Sequence, residues 1–163
     1  MGYSSLRIGI GYDVHPFAAG RELVLGGERL PFRAGLAGHS DADVLVHAII
    51  DSLLGAAALG DIGKLFPETD EKYRGISSLD LLREVGDRFS ERSIAIINID
   101  SIVICEEPKI APHVDRMRSN ISAALGDLDR GRISIKATTT ERLGFVGRGE
   151  GIAAQAVSLI CLS

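Results

Sequence analysis

The sequence predicts a mixed α/β sandwich of the α+β class, a sheet covered by helices on one face. Two observations carry this. Segments of strand character alternate with segments of helical periodicity along the whole chain. Two strands, 94–105 and 151–162, read as apolar on both faces, so each is either a central strand or one covered by helices on one side and another subunit on the other. The chain has 163 residues and 45% hydrophobic content, which fits one domain, 1–163, with a real core. It shows no internal repeat, no low-complexity tract and no dividing linker.

The elements follow in order. "LRIGIGYDVHPF" (6–17) is a strand entering a turn, with Leu6, Ile8 and Ile10 on one face. "ELVLGGERLPF" (22–32) is a hairpin turning at Gly26-Gly27. Residues 41–59 form a helix ending near Gly60. "SSLDLLREVGDRFSER" (77–92) is an amphipathic helix capped by Ser77 or Ser78, with Leu79, Leu82, Val85 and Phe89 as its stripe. Residues 94–105 are a β-branched strand. Residues 111–126 are a helix with Pro112 in its first turn. "RISIKATTTE" (132–141) and "GIAAQAVSLICL" (151–162) are further strands.

Composition excludes some functions. A net charge of −4 leaves no general basic field for nucleic acid, and Trp is absent with aromatics at 5%, which disfavours a base-stacking surface. The two cysteines, Cys105 and Cys161, make no disulfide framework and no CxxC pair, so a reducing cytoplasm is expected. The first 15 residues lack the pattern of a signal peptide, and no run approaches 18 apolar residues, so no membrane span is expected.

Chemistry concentrates in "GHSDADVLVHAIIDSLLG" (38–55), an apolar segment that still carries His39, Asp41, Asp43, His47 and Asp51. On a helix, Asp43, His47 and Asp51 share a face at i, i+4 and i+8. Ser40 is placed as N-cap with Asp43 three positions on, so Asp43 reads as a capping residue or as a chemical one. His47 sits among Val44, Leu45, Val46, Ala48, Ile49 and Ile50, and a buried imidazole needs a partner for each nitrogen. Asp51 reads as that partner, or as a group orienting a metal-bound histidine.

In "YDVH", Asp13 and His15 project from the same side of a strand. With His47 they make an Asp-His-His set, which leaves a tetrahedral zinc one open position, as in a catalytic site. A hydrogen-bonded core histidine is the other reading, since spacing does not bring residue 47 beside residue 15. In "ATTTERLGFVGRGEG" (137–151), a continuing strand puts Thr139 and Glu141 on one face, suited to a phosphate oxygen and Mg²⁺, or forms a plain strand end and glycine-rich turn. "CEEPKIAPH" (105–113) puts Pro108 and Lys109 after a strand, where they hold a diphosphate or form a polar turn. "GDIGKLFPETD" lacks the Walker spacing.

Together, "GYDVH", "HSDADVLVHAIIDSLLGAAALGDIGKLFP", "EEPK" and "KATTTERLGFVGRGEGI" resemble, in order and spacing from Arg7 to Leu162, the 2-C-methyl-D-erythritol 2,4-cyclodiphosphate synthase family of the non-mevalonate isoprenoid pathway. The resemblance implies a phosphorus-oxygen lyase. The 2-phosphate of 4-diphosphocytidyl-2-C-methyl-D-erythritol 2-phosphate attacks the β-phosphate, CMP leaves and a cyclic diphosphate forms. Positioning and electrostatics carry such a transfer, and no protein nucleophile is needed.

Residue by residue, the resemblance implies one zinc per subunit on Asp13, His15 and His47, and Mg²⁺ or Mn²⁺ on Glu141 with the substrate diphosphate. His39 and Thr139 would contact phosphate oxygens in the transition state, with Ser40 beside them and Val14 between the strand ligands. Asp61, Ile62 and Gly63, then Phe66, Pro67, Glu68, Thr69 and Asp70, match segments that contact methylerythritol. Cys105, Glu106, Glu107, Pro108, Lys109, Ile110 and Ala111 match the cytidine diphosphate pocket. Thr138, Thr139, Thr140 and Glu141 match the same pocket, with Phe145 and Arg148 nearby.

The family is a homotrimer with sheets packed around a threefold axis and active sites at subunit interfaces. In some members its central cavity binds an isoprenoid diphosphate, whose charged end would lie near Arg148 and Glu150. The departures are small: Tyr12 where Phe is frequent, Cys105 where Ala is frequent, and Glu68 for an Asp. Two other readings share these residues, a metal-dependent phosphohydrolase and a non-catalytic trimer that binds isoprenoid diphosphates.

Overall fold

A computed structural model describes residues 5–162; part of the segment read above for a leader lies outside them. Its main sheet has five strands. In chain order the strands are β1 (Leu6–Ala18), β2 (Leu23–Leu25), β3 (Glu28–Leu30), β4 (Gly35–Leu36), β5 (Ala95–Ile104), β6 (Ile133–Thr138) and β7 (Gly151–Cys161). The sheet order is β4-β1-β7-β5-β6, and β2-β3 form a separate hairpin. The helices are α1 (Val44–Ala56), the short α2 (Ile62–Leu65), α3 (Ser78–Glu91), α4 (Val114–Ala124) and the short α5 (Gly144–Gly147).

Helix α1 forms the inner layer, against β1, β7 and β5; α3 packs beside it, and α4 packs against α3 and β6. The sheet is mixed: β7 is antiparallel to β1 and β5, while β5 and β6 are parallel. A parallel pair needs a crossover, and α4 supplies it.

One face of β1 determines how close α1 comes. Gly9, Gly11, Asp13 and His15 alternate on the helix side. A methyl group on Gly9 would stand 2.0 Å from the Ser52 carbonyl oxygen, and one on Gly11 2.0 Å from that of Ala48. The helix backbone therefore rests on the strand backbone. Ser52 donates to the Ile49 carbonyl and lies 2.6 Å from Ser158 of β7, so a buried hydroxyl pair ties helix to sheet. The opposite face of β1 is uncovered: Ile8 is 72% exposed, Ile10 64% and Tyr12 56%. Ile8 pairs with Leu159 and Ile10 with Val157, so the apolar patch continues onto β7.

Several boundaries differ from the sequence reading. Helix α1 begins at Val44, and its N-cap is Asp43 rather than Ser40. The Asp43 carboxylate accepts from Val46 N at 3.1 Å, and also from Gly26 N at 2.9 Å and Gly27 N at 2.7 Å. Both glycines take left-handed φ, 56° and 69°, as the hairpin turn requires. A carboxylate serving two segments outcompetes a local serine cap.

Ser77 is the N-cap of α3 but makes no side-chain capping bond; Asp41 takes the Ser78 N–H instead. Residues 111–113 form a 3₁₀ turn before α4. Strand β6 ends at Thr138, because Glu141 and Arg142 turn with φ of 53° and 64°. Strand β5 carries Asn98 and Asp100 on its second face, and Asp100 pairs with Lys136. It is therefore not apolar on both faces.

Two predictions follow from this packing. Gly11→Ala is expected to destabilise the protein by about 3 kcal/mol in urea unfolding, since the methyl would meet backbone that cannot rotate away. The second concerns Asp43, which is fully buried. Burial first, and the nearby Asp41 carboxylate second, push its pKa from 3.8 to about 6, against three lowering N–H bonds. The folded state then binds this proton more tightly than the unfolded state. Its contribution is full below about pH 4 and is lost as pH rises through about 6. The stability of the wild type relative to Asp43→Asn should therefore shrink over that window. A pH-independent difference would contradict the assignment.

Candidate metal centre and cleft

Strand alternation places Asp13 and His15 on the helix face, directly after the two glycines that seat α1. His47 stands on α1 next to Ala48, one of the contact points. The three side chains consequently meet. Asp13 Oδ2 lies 3.0 Å from His15 Nε2 and 3.1 Å from His47 Nδ1, and the two imidazole nitrogens are 3.1 Å apart. Among the described residues, this set brings ligand atoms close enough to hold a metal ion. Ligand atoms bound at about 2.0–2.1 Å to a tetrahedral ion stand about 3.3 Å apart. The observed triangle fits one face of such a shell, and its two imidazoles and carboxylate suit a first-row divalent ion.

The electrostatics agree. Burial alone would raise the Asp13 pKa, but hydrogen bonds and charge from His15 and His47 hold it well below the carboxylate range. Burial alone would lower that of His15, yet its bond to Asp13 holds it above the usual value, helped by the Ala37 carbonyl. The nitrogen of His47 that points away from the triangle is also engaged. His47 Nε2 lies 2.9 Å from Ser78 Oγ and 3.2 Å from Ser40 Oγ.

Asp51 is not the partner of His47. Its carboxylate accepts the Ile62 N–H at 2.7 Å and so anchors α2, while Asp61 caps that helix by accepting from Lys64 N at 2.8 Å. Burial raises the pKa of Asp51.

The triad opens into a cleft lined by His39, Ser40, Ile62, Gly63, Phe66 and Glu68, with Tyr73, Ile76 and Leu81 completing an apolar wall. His39 Nε2 is buried without a hydrogen-bond partner. In a cleft, such an atom is a site for a ligand's polar group. Pro67, Glu68 and Thr69 are exposed, and Asp70 is half-buried and caps a 3₁₀ turn at Glu71–Tyr73. Val14 points to the other face of the sheet, so its side chain does not reach the cleft.

The remaining candidates gather elsewhere. Glu106 Oε1 accepts from Thr140 N at 2.9 Å, Thr140 Oγ1 at 3.1 Å and Arg142 N at 3.2 Å. It therefore clamps the left-handed turn at Glu141 and Arg142, and those bonds lower its pKa. Thr139 Oγ1 donates to Glu141 Oε1 at 3.2 Å, so these two meet through a turn and not along a strand. Thr138, Thr139 and Lys109 are exposed, as is Phe145. Ile110 is in the core, next to exposed Ala111.

Cys105 is buried, and burial pushes its thiol up to about 11, so it is no nucleophile at neutral pH. Glu106, Glu107, Arg142 and Arg148 line a second, more polar cleft. Arg148 pairs with Glu150 at 2.6 Å. The triad cleft is lined by none of 105–111 or 138–148. Within one chain the two groups stay apart.

The sequence reading missed Ser78, Asp41 as its partner, and the wall residues Tyr73, Ile76 and Leu81. Residues 41 and 78 are joined only by the fold, and no local spacing could have paired them.

Comparison with known proteins bears on this arrangement. Residues 6–161 match the model of the YgbB family. The 2-C-methyl-D-erythritol 2,4-cyclodiphosphate synthase of Dehalococcoides mccartyi strain CBDB1 is 59% identical over 155 residues, 95% of this chain and 98% of that protein. The Alkaliphilus metalliredigens synthase is 60% identical over 152 residues, 93% and 95% of the two chains. The IspF of Plasmodium falciparum in complex with CDP superposes with a TM-score of 0.85 at 34% identity, covering 99% of both chains. The bifunctional IspDF of Campylobacter jejuni superposes with a TM-score of 0.92 at 44% identity. It covers 97% of this chain, which spans 42% of that longer protein.

The triangle itself makes a prediction. Co²⁺ titration of the wild type should give the visible spectrum of a tetrahedral nitrogen–oxygen site. His47→Ala should weaken Co²⁺ binding at least about 100-fold in competition with a chelator, since two ligands on one strand cannot close the shell. Equal affinity in a folded His47→Ala protein would remove the metal assignment.

Proposed function

From the premise that the chain belongs to the YgbB family, with synthases of 2-C-methyl-D-erythritol 2,4-cyclodiphosphate at 59% and 60% identity among its relatives, we propose that it performs that synthesis. It would act on 4-diphosphocytidyl-2-C-methyl-D-erythritol 2-phosphate. An oxygen of the 2-phosphate attacks the β-phosphorus, the bond from that phosphorus to the bridging oxygen breaks, and CMP departs with the electron pair. The whole chain would be a single domain for this reaction.

The observation that carries the reading is the Asp13–His15–His47 triangle opening into an apolar-walled cleft beside the unpartnered His39 Nε2. Zinc held by those three would act as a Lewis acid and template for phosphate oxygens. The apolar wall of Ile62, Phe66, Tyr73, Ile76 and Leu81 suits the carbon skeleton of the sugar alcohol and excludes water. His39 donates toward a phosphate oxygen, and Ser40 stands beside it. Nothing here requires a protein nucleophile, in keeping with the protonated Cys105.

Thr139, Glu141 and the 105–111 segment belong to the cytidine diphosphate side. Glu141 would hold Mg²⁺ or Mn²⁺ with the diphosphate, and Thr139 would meet a phosphate oxygen. Since one chain keeps these away from the triad, a complete site needs a second chain. The uncovered face with Ile8, Ile10, Tyr12, Val157 and Leu159 supports a homotrimer in which sheets pack on one another. The pair Arg148–Glu150 would face an isoprenoid diphosphate in the centre of that trimer. A bacterial cytoplasm is the setting we propose; no helix among the described residues is long and apolar enough to cross a membrane.

Phosphorus NMR of the purified protein with this substrate, Zn²⁺ and Mg²⁺ should show CMP and a cyclic diphosphate, in a sample sedimenting as a trimer. His39→Ala should lower the rate about 100-fold or more, with Zn²⁺ content unchanged. Inorganic phosphate as product would support a hydrolase instead. Unchanged substrate in a folded, metal-loaded trimer would leave only a binding protein.

A further inference from the structure

The far side of His47 carries an arrangement that the reaction as described does not use. Its Nδ1 faces the triangle, and its Nε2 lies 2.9 Å from Ser78 Oγ. Ser78 is fully buried at the start of α3. Its hydroxyl is bonded to Asp41 Oδ1, and its backbone N–H donates to Asp41 Oδ2 at 3.0 Å. Asp41 Oδ1 also accepts the Asp43 N–H at 3.3 Å.

The direction of this chain of bonds follows from the chemistry of its end. A carboxylate has no hydrogen to give, so the Ser78 hydroxyl must donate to Asp41. With its single hydrogen committed, Ser78 Oγ can only accept from His47. Nε2 of His47 must then carry the hydrogen; Asp13 Oδ2, 3.1 Å from Nδ1, takes a second hydrogen only from the doubly protonated ring, so the neutral ring has its lone pair on Nδ1, aimed at the triangle. Ser40 Oγ, at 3.2 Å from the same nitrogen, accepts the Ala42 N–H and can turn its own hydrogen either way, so it sets no direction.

We propose that Asp41 and Ser78 are positioning residues that hold His47 in the tautomer a metal ligand needs. They reach neither the cleft nor the ligand atoms of the triangle; Ser78 meets only the far nitrogen of His47. Their effect runs through one imidazole, whose ring they also fix in orientation. The same carboxylate tethers the first turn of α3, so the helix and the ligand are set by one group. The purpose of the relay rests on the metal reading of His47, but its geometry does not.

The test separates the two. Two-bond ¹H–¹⁵N spectra of the metal-free protein at about pH 8, above the ordinary histidine range, report which nitrogen of His47 bears hydrogen. The wild type should show the Nε2–H form. Ser78→Ala and Asp41→Asn, checked for folding by near-ultraviolet circular dichroism, should show a mixture of tautomers. Their Co²⁺ affinity should fall about 10- to 100-fold.

An Nδ1–H tautomer in the wild type would overturn the proposal whether or not the variants fold. So would folded variants with the wild-type tautomer and affinity. A wild type that binds no Co²⁺ but keeps the Nε2–H form, lost in the variants, would sink the metal reading and support the relay.

Discussion

Helix α1 rests on strand β1 backbone to backbone at Gly9 and Gly11, and the site depends on that approach. A side chain at either position would lift the helix and carry His47 away from the strand. The four residues on this face of β1 divide the labour. Two glycines admit the helix, and Asp13 and His15 then meet a histidine that the helix delivers one residue from its contact at Ala48. The 3.0–3.1 Å separations of the triangle are thus a packing distance expressed in ligand atoms. Packing density is what makes such a distance reproducible, because a close-packed interface has no slack to absorb a shift.

The acids around the helix answer why a buried segment tolerates so much charge. Asp43 binds three N–H groups from two segments, and so locks the β2-β3 hairpin to the start of α1. Asp41 takes the first turn of α3 and the Ser78 hydroxyl. Asp51 takes the first amide of α2, which forms part of the cleft wall. Carboxylates shielded from water are costly alone, but Asp43 and Asp41 each replace bonds to water with three charge-assisted bonds, and Asp51 with one to the Ile62 N–H. They hold irregular loops around the triad without needing regular secondary structure. Glu106 does the same on the other side of the molecule, where it clamps the turn carrying Thr139 and Glu141.

The two groups of candidate residues lie on separate surfaces of one chain, while the sheet leaves an apolar face uncovered next to β7. These are complementary defects. On the proposed reading the two groups are halves of one site, and a chain so divided, with one wet apolar sheet face, gains from association on both counts.

Local pattern was enough for much of this. Periodicity located the long strands and the three long helices, though not the two-residue β4, because burial of one face imposes period 2 or 3.6 on any sequence. Glycine chemistry located the hairpin turn at Gly26-Gly27, and strand alternation put Asp13 and His15 together. Boundaries failed where a distant group displaced a local one. Asp43 took the cap expected of Ser40 because it also reaches the hairpin, Asp51 left His47 for Ile62, and β6 ended early because Glu106 holds the turn beyond it. The meeting of residue 47 with residue 15, and the relay from Asp41 through Ser78, belong to tertiary structure alone. Spacing along a chain constrains neighbours within a turn or a strand, whereas contacts across 30 or more residues are settled only when helix and sheet close on each other.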